Sequence, residues 1–403
     1  MKLIEREYLP ELISILHTSD IKVLTGVRRA GKSTLIRQLA DYIKRNIPNS
    51  HLIHIDFNLM EFRYLRTAAA LDEYVESRYQ KQRDNYLLID EVQMCPGFEW
   101  AINSFHASDR YKIVVTGSNA FLEYSDLGTL FVGRVYSMSL FPFSFREYCQ
   151  YYPQLSLDEA FGYYLRDGGF AGSYDYPDLR QKNNYVSDIF RTLIVRDIVE
   201  KHKIKNEALL EKIIDFLTDN ISNLTSSNKI ANILNQNGSE TNHTTVSNYL
   251  DYLCRSFAFY RVRRFDIKGK DYLRSQDKYY LVDPSLRRAR LGDRFADWGL
   301  VCENIVAIEL LRRNWEVCAG VINGHAIDFV AKKADRQMNI QVCADVSDPS
   351  TLKREIRSLL EIKNGYPKII LSNTHGQNGT LDGVLILDLT SWLQDPQFIH
   401  RWL

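Results

Sequence analysis

The chain has 403 residues, 45% of them hydrophobic and 25% charged, with 51 Lys and Arg against 50 Asp and Glu. The net charge of +1 excludes a polybasic nucleic-acid coat, so any basic surface must be local. This composition excludes a disordered or collagen-like chain, and the length predicts two to three domains.

No uncharged apolar run approaches the ~18 residues of a membrane span. The first residues, MKLIEREYLPEL, set acids among the apolar positions and lack a signal peptide's apolar core. The six cysteines form no CxxC pair, as expected of free thiols in a reducing cytoplasm.

IKVLT, residues 21–25, predicts a short strand. A Gly-bounded loop leads into STLIRQLADYIKRN, where Leu35, Ile36, Leu39 and Ile43 recur at helical spacing. HLIHIDF predicts a second strand, LDEYVESRYQK an amphipathic helix, and YLLID a near-continuous apolar strand. EWAINSFHA and YKIVVTGS repeat the alternation. Apolar strands separated by helices predict a parallel sheet buried on both faces, in a domain spanning residues 1–155. Residues 156–205 read as a helical lid or linker rich in Tyr and Arg.

Over 206–290, EALLEKIIDFLTDNI, SSNKIANILNQ and TTVSNYLDYLCRSF predict three helices. FYRVRRFDIKG and DKYYLVD then predict a hairpin, which completes the parts of a winged helix-turn-helix. Over 291–403, the helix WGLVCENIVAIELLRRN and strands such as AIDFVAKK, MNIQVCAD and PKIILS predict a second α/β domain.

The densest chemistry lies in GVRRAGKST, Gly26 to Thr34. It fits GxxxxGK[ST] and stands between a strand and a helix, where a phosphate loop belongs. Gly26 and Gly31 let the backbone approach phosphates closely. The N–H groups of Val27, Arg28, Arg29 and Ala30, and on to Thr34, would form an anion nest at the helix's positive end. Lys32 would reach the β- and γ-phosphates of a bound nucleotide, and the Ser33 hydroxyl would ligate Mg²⁺.

Asp90 and Glu91 end the strand YLLID and begin the next turn. Asp90 would hold Mg²⁺ through water, and Glu91 would polarise the attacking water as general base. After YKIVVTG, Ser118 or Asn119 either senses the γ-phosphate or makes a simple turn. Arg28, Arg29 and Arg134 are candidates for stabilising the charge of phosphoryl transfer, within one chain or between copies in a homo-oligomer.

GVRRAGKST, YLLIDEVQ, VVTGSN, GRVYSMSLFPFSFREY and the C-terminal ENIVAIELLRR, IDFVA and IQV together resemble one family. This is the archaeal-type P-loop ATPases of the AAA-like class, found in bacteria and archaea with a C-terminal nuclease-like domain. The resemblance covers nearly the whole chain. It implies ATP binding and hydrolysis, a winged helix and a PD-(D/E)XK-type C-terminal fold. The expected fold class is thus α/β, with a P-loop NTPase parallel sheet followed by an all-α, winged-helix segment. A restriction-endonuclease-like α/β domain would end the chain.

That resemblance directs attention to two further regions. From Arg255 to Arg290 there are eleven Lys and Arg against four Asp. Arg261, Arg263, Arg264, Lys268, Lys270 and Arg274 cluster near the expected wing tip, where they would either meet DNA phosphates or pack against neighbouring domains.

A PD-(D/E)XK site needs acids on adjacent strands and a lysine two residues after the second acid. Asp328 fits the first acid, with Glu303 beside it. Gln341 replaces the second acid and Cys343 the lysine, so this site is expected to be degenerate. The function implied is Mg²⁺-dependent ATP hydrolysis that repositions the C-terminal domains, on DNA. An ATP-dependent DNA endonuclease and a nucleotide-sensing switch with little turnover are the alternatives.

Overall fold

The computed structural model describes residues 2–117, 131, 133–292 and 297–402. Two units are distinct, residues 3–141 and residues 142–403 together with the first two residues.

The first unit is a five-stranded sheet in the order β2-β3-β4-β1-β5. Its strands are β1 (Ile21–Gly26), β2 (Ser50–Asp56), β3 (Asp84–Asp90), β4 (Tyr111–Thr116) and β5 (Val135–Leu140). Every pairing is parallel. β1 is buried along its whole length and β3 from Asn85 onward, which explains their apolar runs without polar alternation.

Leu35, Ile36, Leu39 and Ile43 are the buried stripe of the helix Lys32–Asn46. β5 was not expected. VYSMSL alternates and only Met138 and Leu140 are buried, as suits a strand at the sheet's edge. The parallel order places the carboxyl ends of β1, β3 and β4 side by side, and inserts β4 between the loop strand and the acidic strand.

The second unit holds an eight-stranded mixed sheet, ordered β12-β13-β11-β10-β9-β8-β6-β7. β6 is Phe259–Asp266, β7 Asp271–Leu281, β8 Glu316–Ile322, β9 His325–Lys333 and β10 Arg336–Cys343. β11 is Lys368–Ser372, β12 Gly379–Leu381 and β13 Val384–Asp388. The helix Trp298–Arg312 is buried at every position from Val301 to Leu310. Such a helix lies inside the unit rather than on its surface.

The expected helices at 207–221, 226–236 and 244–257 form as Glu207–Asp219, Ser227–Gln236 and His243–Arg255. The expected hairpin forms too, as β6 and β7, but it does not close off a separate domain. β6 pairs in parallel with β8, with Arg264 opposite Ala319 and Asp266 opposite Val321. A boundary at 290/291 would therefore cut through one sheet.

The expected lid at 156–205 is likewise part of this unit. Its helices Leu157–Asp167 and Leu179–Thr192 pack on the helix Pro284–Leu291. The unit begins at Pro142 rather than at 156. Among the described residues no helix is long and apolar enough to cross a membrane.

Candidate functional site

The loop after β1 turns through two glycines with positive φ, Gly26 at 134° and Gly31 at 96°. A Cβ on Gly26 would stand 2.1 Å from the Leu140 carbonyl oxygen, and one on Gly31 would stand 2.2 Å from Arg6 Nη1. Both positions therefore require glycine. Arg29 also takes a left-handed conformation, φ 64°, which carries the chain into the helix. Gly31 is the N-cap of Lys32–Asn46, and a glycine there supplies no side-chain oxygen to cap the first turn.

Lys32 is buried, and its ammonium donates to the carbonyls of Gly26 at 2.8 Å and Val27 at 3.2 Å. The chain thus holds a cation inside its own loop, where phosphate oxygens would replace two carbonyls.

Asp90 ends β3 in full burial. Burial raises its pKa above the usual carboxylate value, and the charges of Asp56 and Glu91 act in the same direction. Hydrogen bonds from Ser33 and Thr116 oppose that rise. The Thr116 hydroxyl donates to Asp90 Oδ1 and accepts the Glu91 N–H at 3.0 Å. Glu91 has φ 55°, and Gln93 Nε2 donates to its Oε2. A hydrogen-bonded chain therefore runs from Asp90 through Thr116 to Glu91.

His54, on the neighbouring strand, is held below its usual pKa by burial, although Asp90 and Asp56 pull it up.

The residues fit a magnesium nucleotide. Mg²⁺ prefers hard oxygen ligands and keeps several waters. The Ser33 hydroxyl, at the start of the helix after the loop, and the Asp90 carboxylate, at the end of β3, are such oxygens, and Ser33 is close enough to Asp90 to oppose the rise of its pKa. Among the described residues no three His, Cys, Asp or Glu side chains could hold a metal alone, so phosphate oxygens and water would complete the shell.

Two contributors were not expected from the sequence. Thr116 is one, and its position at the carboxyl end of the strand lying between β1 and β3 was the available signal. Arg6 is the other. It is fully buried, donating through Nη1 to the Ala30 carbonyl and through Nη2 to the Phe141 carbonyl at 2.9 Å. Its own N–H donates to Gln38 Oε1 at 3.1 Å, which ties it to the helix.

Arg6 is a positioning residue for the loop. Arg6→Ala should raise KM for ATP by about tenfold, the effect of losing roughly 1–2 kcal/mol of loop order. Arg6→Lys should restore part of it. An unchanged KM in steady-state phosphate release would remove Arg6 from this role.

Ser118 and Asn119 lie outside the described residues. Arg134 is exposed, and its carbonyl accepts the Ile21 N–H at 2.9 Å, at the opposite end of β1 from the loop. Five residue steps of about 3.3 Å separate Ile21 from Gly26. Arg134 therefore cannot reach the phosphates of its own chain, which corrects the same-chain expectation. Arg28 and Arg29 remain in the loop.

In the second unit Glu303, Asp328 and Gln341 come together. The Asp328 N–H donates to Gln341 Oε1 at 2.6 Å, and the Val342 N–H donates to Asp328 Oδ2 at 3.0 Å. Cys343 stands apart, with its Sγ 2.9 Å from the Asp345 carbonyl oxygen. The ammonium missing from Cys343's position comes from elsewhere. Lys278 on β7 lies 2.8 Å from Glu303 Oε1 and 3.1 Å from Asp328 Oδ1. Tyr280 donates to the same Glu303 oxygen at 2.6 Å. The protein's own cation bridges the two acids.

The basic surplus of residues 255–290 is also partly internal. Arg290 pairs with Glu211 and Asp215, Arg287 with Asp219, and Arg255 with Asp251. Arg261, Arg263, Lys268 and Lys270 stay exposed and Arg264 is half-buried. The Arg274 side chain lies outside the described ones.

Residues 18–149 match the AAA domain family, and residues 158–297 match a domain of unknown function (DUF8612). An uncharacterized protein of Methanocaldococcus jannaschii is 24% identical over 385 residues, covering 89% of this chain and 83% of that protein. Among solved structures, AMPPCP-bound DnaA from Aquifex aeolicus is 16% identical, covering 61% of this chain and 86% of that one, with a TM-score of 0.30. Domain III of Thermotoga maritima DnaA is 18% identical, covering 37% of this chain and 68% of that one, with a TM-score of 0.27. TM-scores of this size carry no functional conclusion.

An uncharacterized protein of Haemophilus influenzae is 34% identical over 398 residues, 97% of this chain and 98% of that protein. The chain belongs to the family of that Haemophilus influenzae protein, and its N-terminal part is an AAA domain, a P-loop domain of the nucleotide-binding type.

Proposed function

We propose that this protein is a Mg²⁺-dependent ATPase whose nucleotide state repositions residues 142–403. The observation that carries the reading is the hydrogen-bonded chain Asp90–Thr116–Glu91 beside a glycine-turned loop that holds the buried Lys32. ATP would lie along Gly26–Thr34, with Val27 through Gly31 presenting backbone N–H groups to the β-phosphate. Lys32 would leave the Gly26 and Val27 carbonyls for β- and γ-phosphate oxygens. Ser33 and, through water, Asp90 would hold Mg²⁺, which supplies charge neutralisation of the phosphates. Glu91, fixed by Gln93 and by its own N–H on Thr116, would take a proton from the attacking water.

In a homo-oligomer the exposed Arg134 would serve a neighbouring copy's site rather than its own. The exposed Arg261 and Arg263, which lie outside the groove described below, would give a salt-sensitive contact to DNA phosphates. Nuclease chemistry is not part of this reading, because Lys278 already bridges Glu303 and Asp328.

Glu91→Gln tests the assignment. It should lower kcat by about 10²–10⁴-fold while ATP affinity stays within about threefold of wild type. Turnover at the wild-type rate in a phosphate-release assay would refute Glu91 as base.

A further inference from the structure

The second unit carries an open groove of about 1010 Å³, at the upper end of the range for small-ligand pockets (~300–1,000 Å³). Its walls are the turn between β6 and β7, the end of β8, the helix Pro349–Leu360 from Lys353 onward with the residues that follow, and the end of β12. The floor is aliphatic. Ile267, Ile322, Ile356 and Ile362 line it and continue into the unit's buried core, with Leu360 packed beside them. Leu381 on the rim is 43% exposed.

Charge on the rim is one-sided. Lys268, Lys270, Lys353, Arg357 and Lys363 face two acids, Glu361 and Asp382. Glu361 is already engaged by His325 at 3.1 Å and by Asn323 at 3.2 Å. Among the described residues none of the five cations is in an ion pair with a carboxylate.

An aliphatic floor under a basic rim wants an occupant with apolar side chains on one face and carboxylates on the other. Single-stranded nucleic acid would want aromatic platforms for its bases, and among the described residues no Phe, Tyr or Trp lines this groove. We propose that the groove is a docking site for an acidic peptide segment bearing Leu or Ile side chains, contributed by a partner protein. This goes beyond the nucleotide reading and does not depend on it.

The test is selection of short random peptides displayed on phage against the full-length chain. Binding of the synthesised winners is then measured by fluorescence anisotropy. The winners should be enriched in Asp and Glu interspersed with Leu and Ile. Lys353→Glu/Arg357→Glu, two exposed side chains, should weaken them by at least about tenfold with an unchanged circular dichroism spectrum. Basic, neutral or unenriched winners would overturn the proposal, as would equal binding by the variant. So would a single-stranded DNA oligonucleotide that displaces the winners and is itself lost in the variant.

Discussion

Lys32→Ala is expected to lower kcat/KM for ATP by at least about 10³-fold, corresponding to ~4 kcal/mol of transition-state stabilisation. Phosphoryl transfer leaves little covalent work for the protein, so fixed positive charge at the γ-phosphate supplies much of the acceleration. Lys32 is the buried cation of the loop, already oriented by two carbonyls, and so would need little reorganisation to meet the phosphates. Arg28 and Arg29 do not replace it, since both precede the helix start that fixes the Lys32 side chain.

The Gly26 and Val27 carbonyls would lose a donor, which should lower stability by only about 1 kcal/mol. A urea midpoint lowered by no more than that amount, with a collapsed rate, would therefore assign the loss to chemistry. Lys32→Arg should not rescue, because a planar guanidinium does not fill an ammonium's site.

Lys278→Met should destabilise the protein by about 3–5 kcal/mol at pH 8, the cost of leaving buried carboxylates without their cation. Two acids share one ammonium here, so one negative charge stays unbalanced. Burial, and after it the charge of Asp328, raises the Glu303 carboxyl to about 7. A raised folded-state pKa means that Glu303's contribution is fully present below its ordinary value near 4.5 and is lost as pH climbs through about 7.

The wild type should therefore lose stability across that window, and the Lys278→Met penalty should be smaller at pH 5 than at pH 8. Adding Glu303→Gln and Asp328→Asn to Lys278→Met should recover most of the loss, since the unpaired charges are then gone. Urea unfolding at the two pH values measures all of this. A Lys278→Met change below about 1 kcal/mol would contradict the buried-bridge account.

What the sequence makes legible is what local physics determines. A strand buried on both faces, such as Leu87 to Ile89, must read apolar. A helix covering one side of a sheet must repeat Leu35, Ile36, Leu39 and Ile43. A loop that wraps phosphates must carry glycine at Gly26 and Gly31, where a Cβ would collide.

What stays hidden is contact between distant segments. Arg6 meets Ala30 and Phe141, which lie 24 and 135 residues away. Lys278 meets Glu303 and Asp328 at separations of 25 and 50 residues, across β7, a helix and β9. The hairpin β6–β7 was readable from its turn and alternation. Its pairing with β8 was not, because a strand's outer partner leaves no mark on its own pattern. That is why one sheet looked like two domains. Thr116 was missed for a related reason, since its role depends on β4 lying between β1 and β3.

The most direct measurement is calorimetric titration of the full-length protein with ATP in the presence of Mg²⁺. Saturable binding near one nucleotide per chain, lost in Lys32→Ala, is the predicted result. Absence of binding at millimolar ATP, or an isotherm that Lys32→Ala leaves unchanged, would contradict the account.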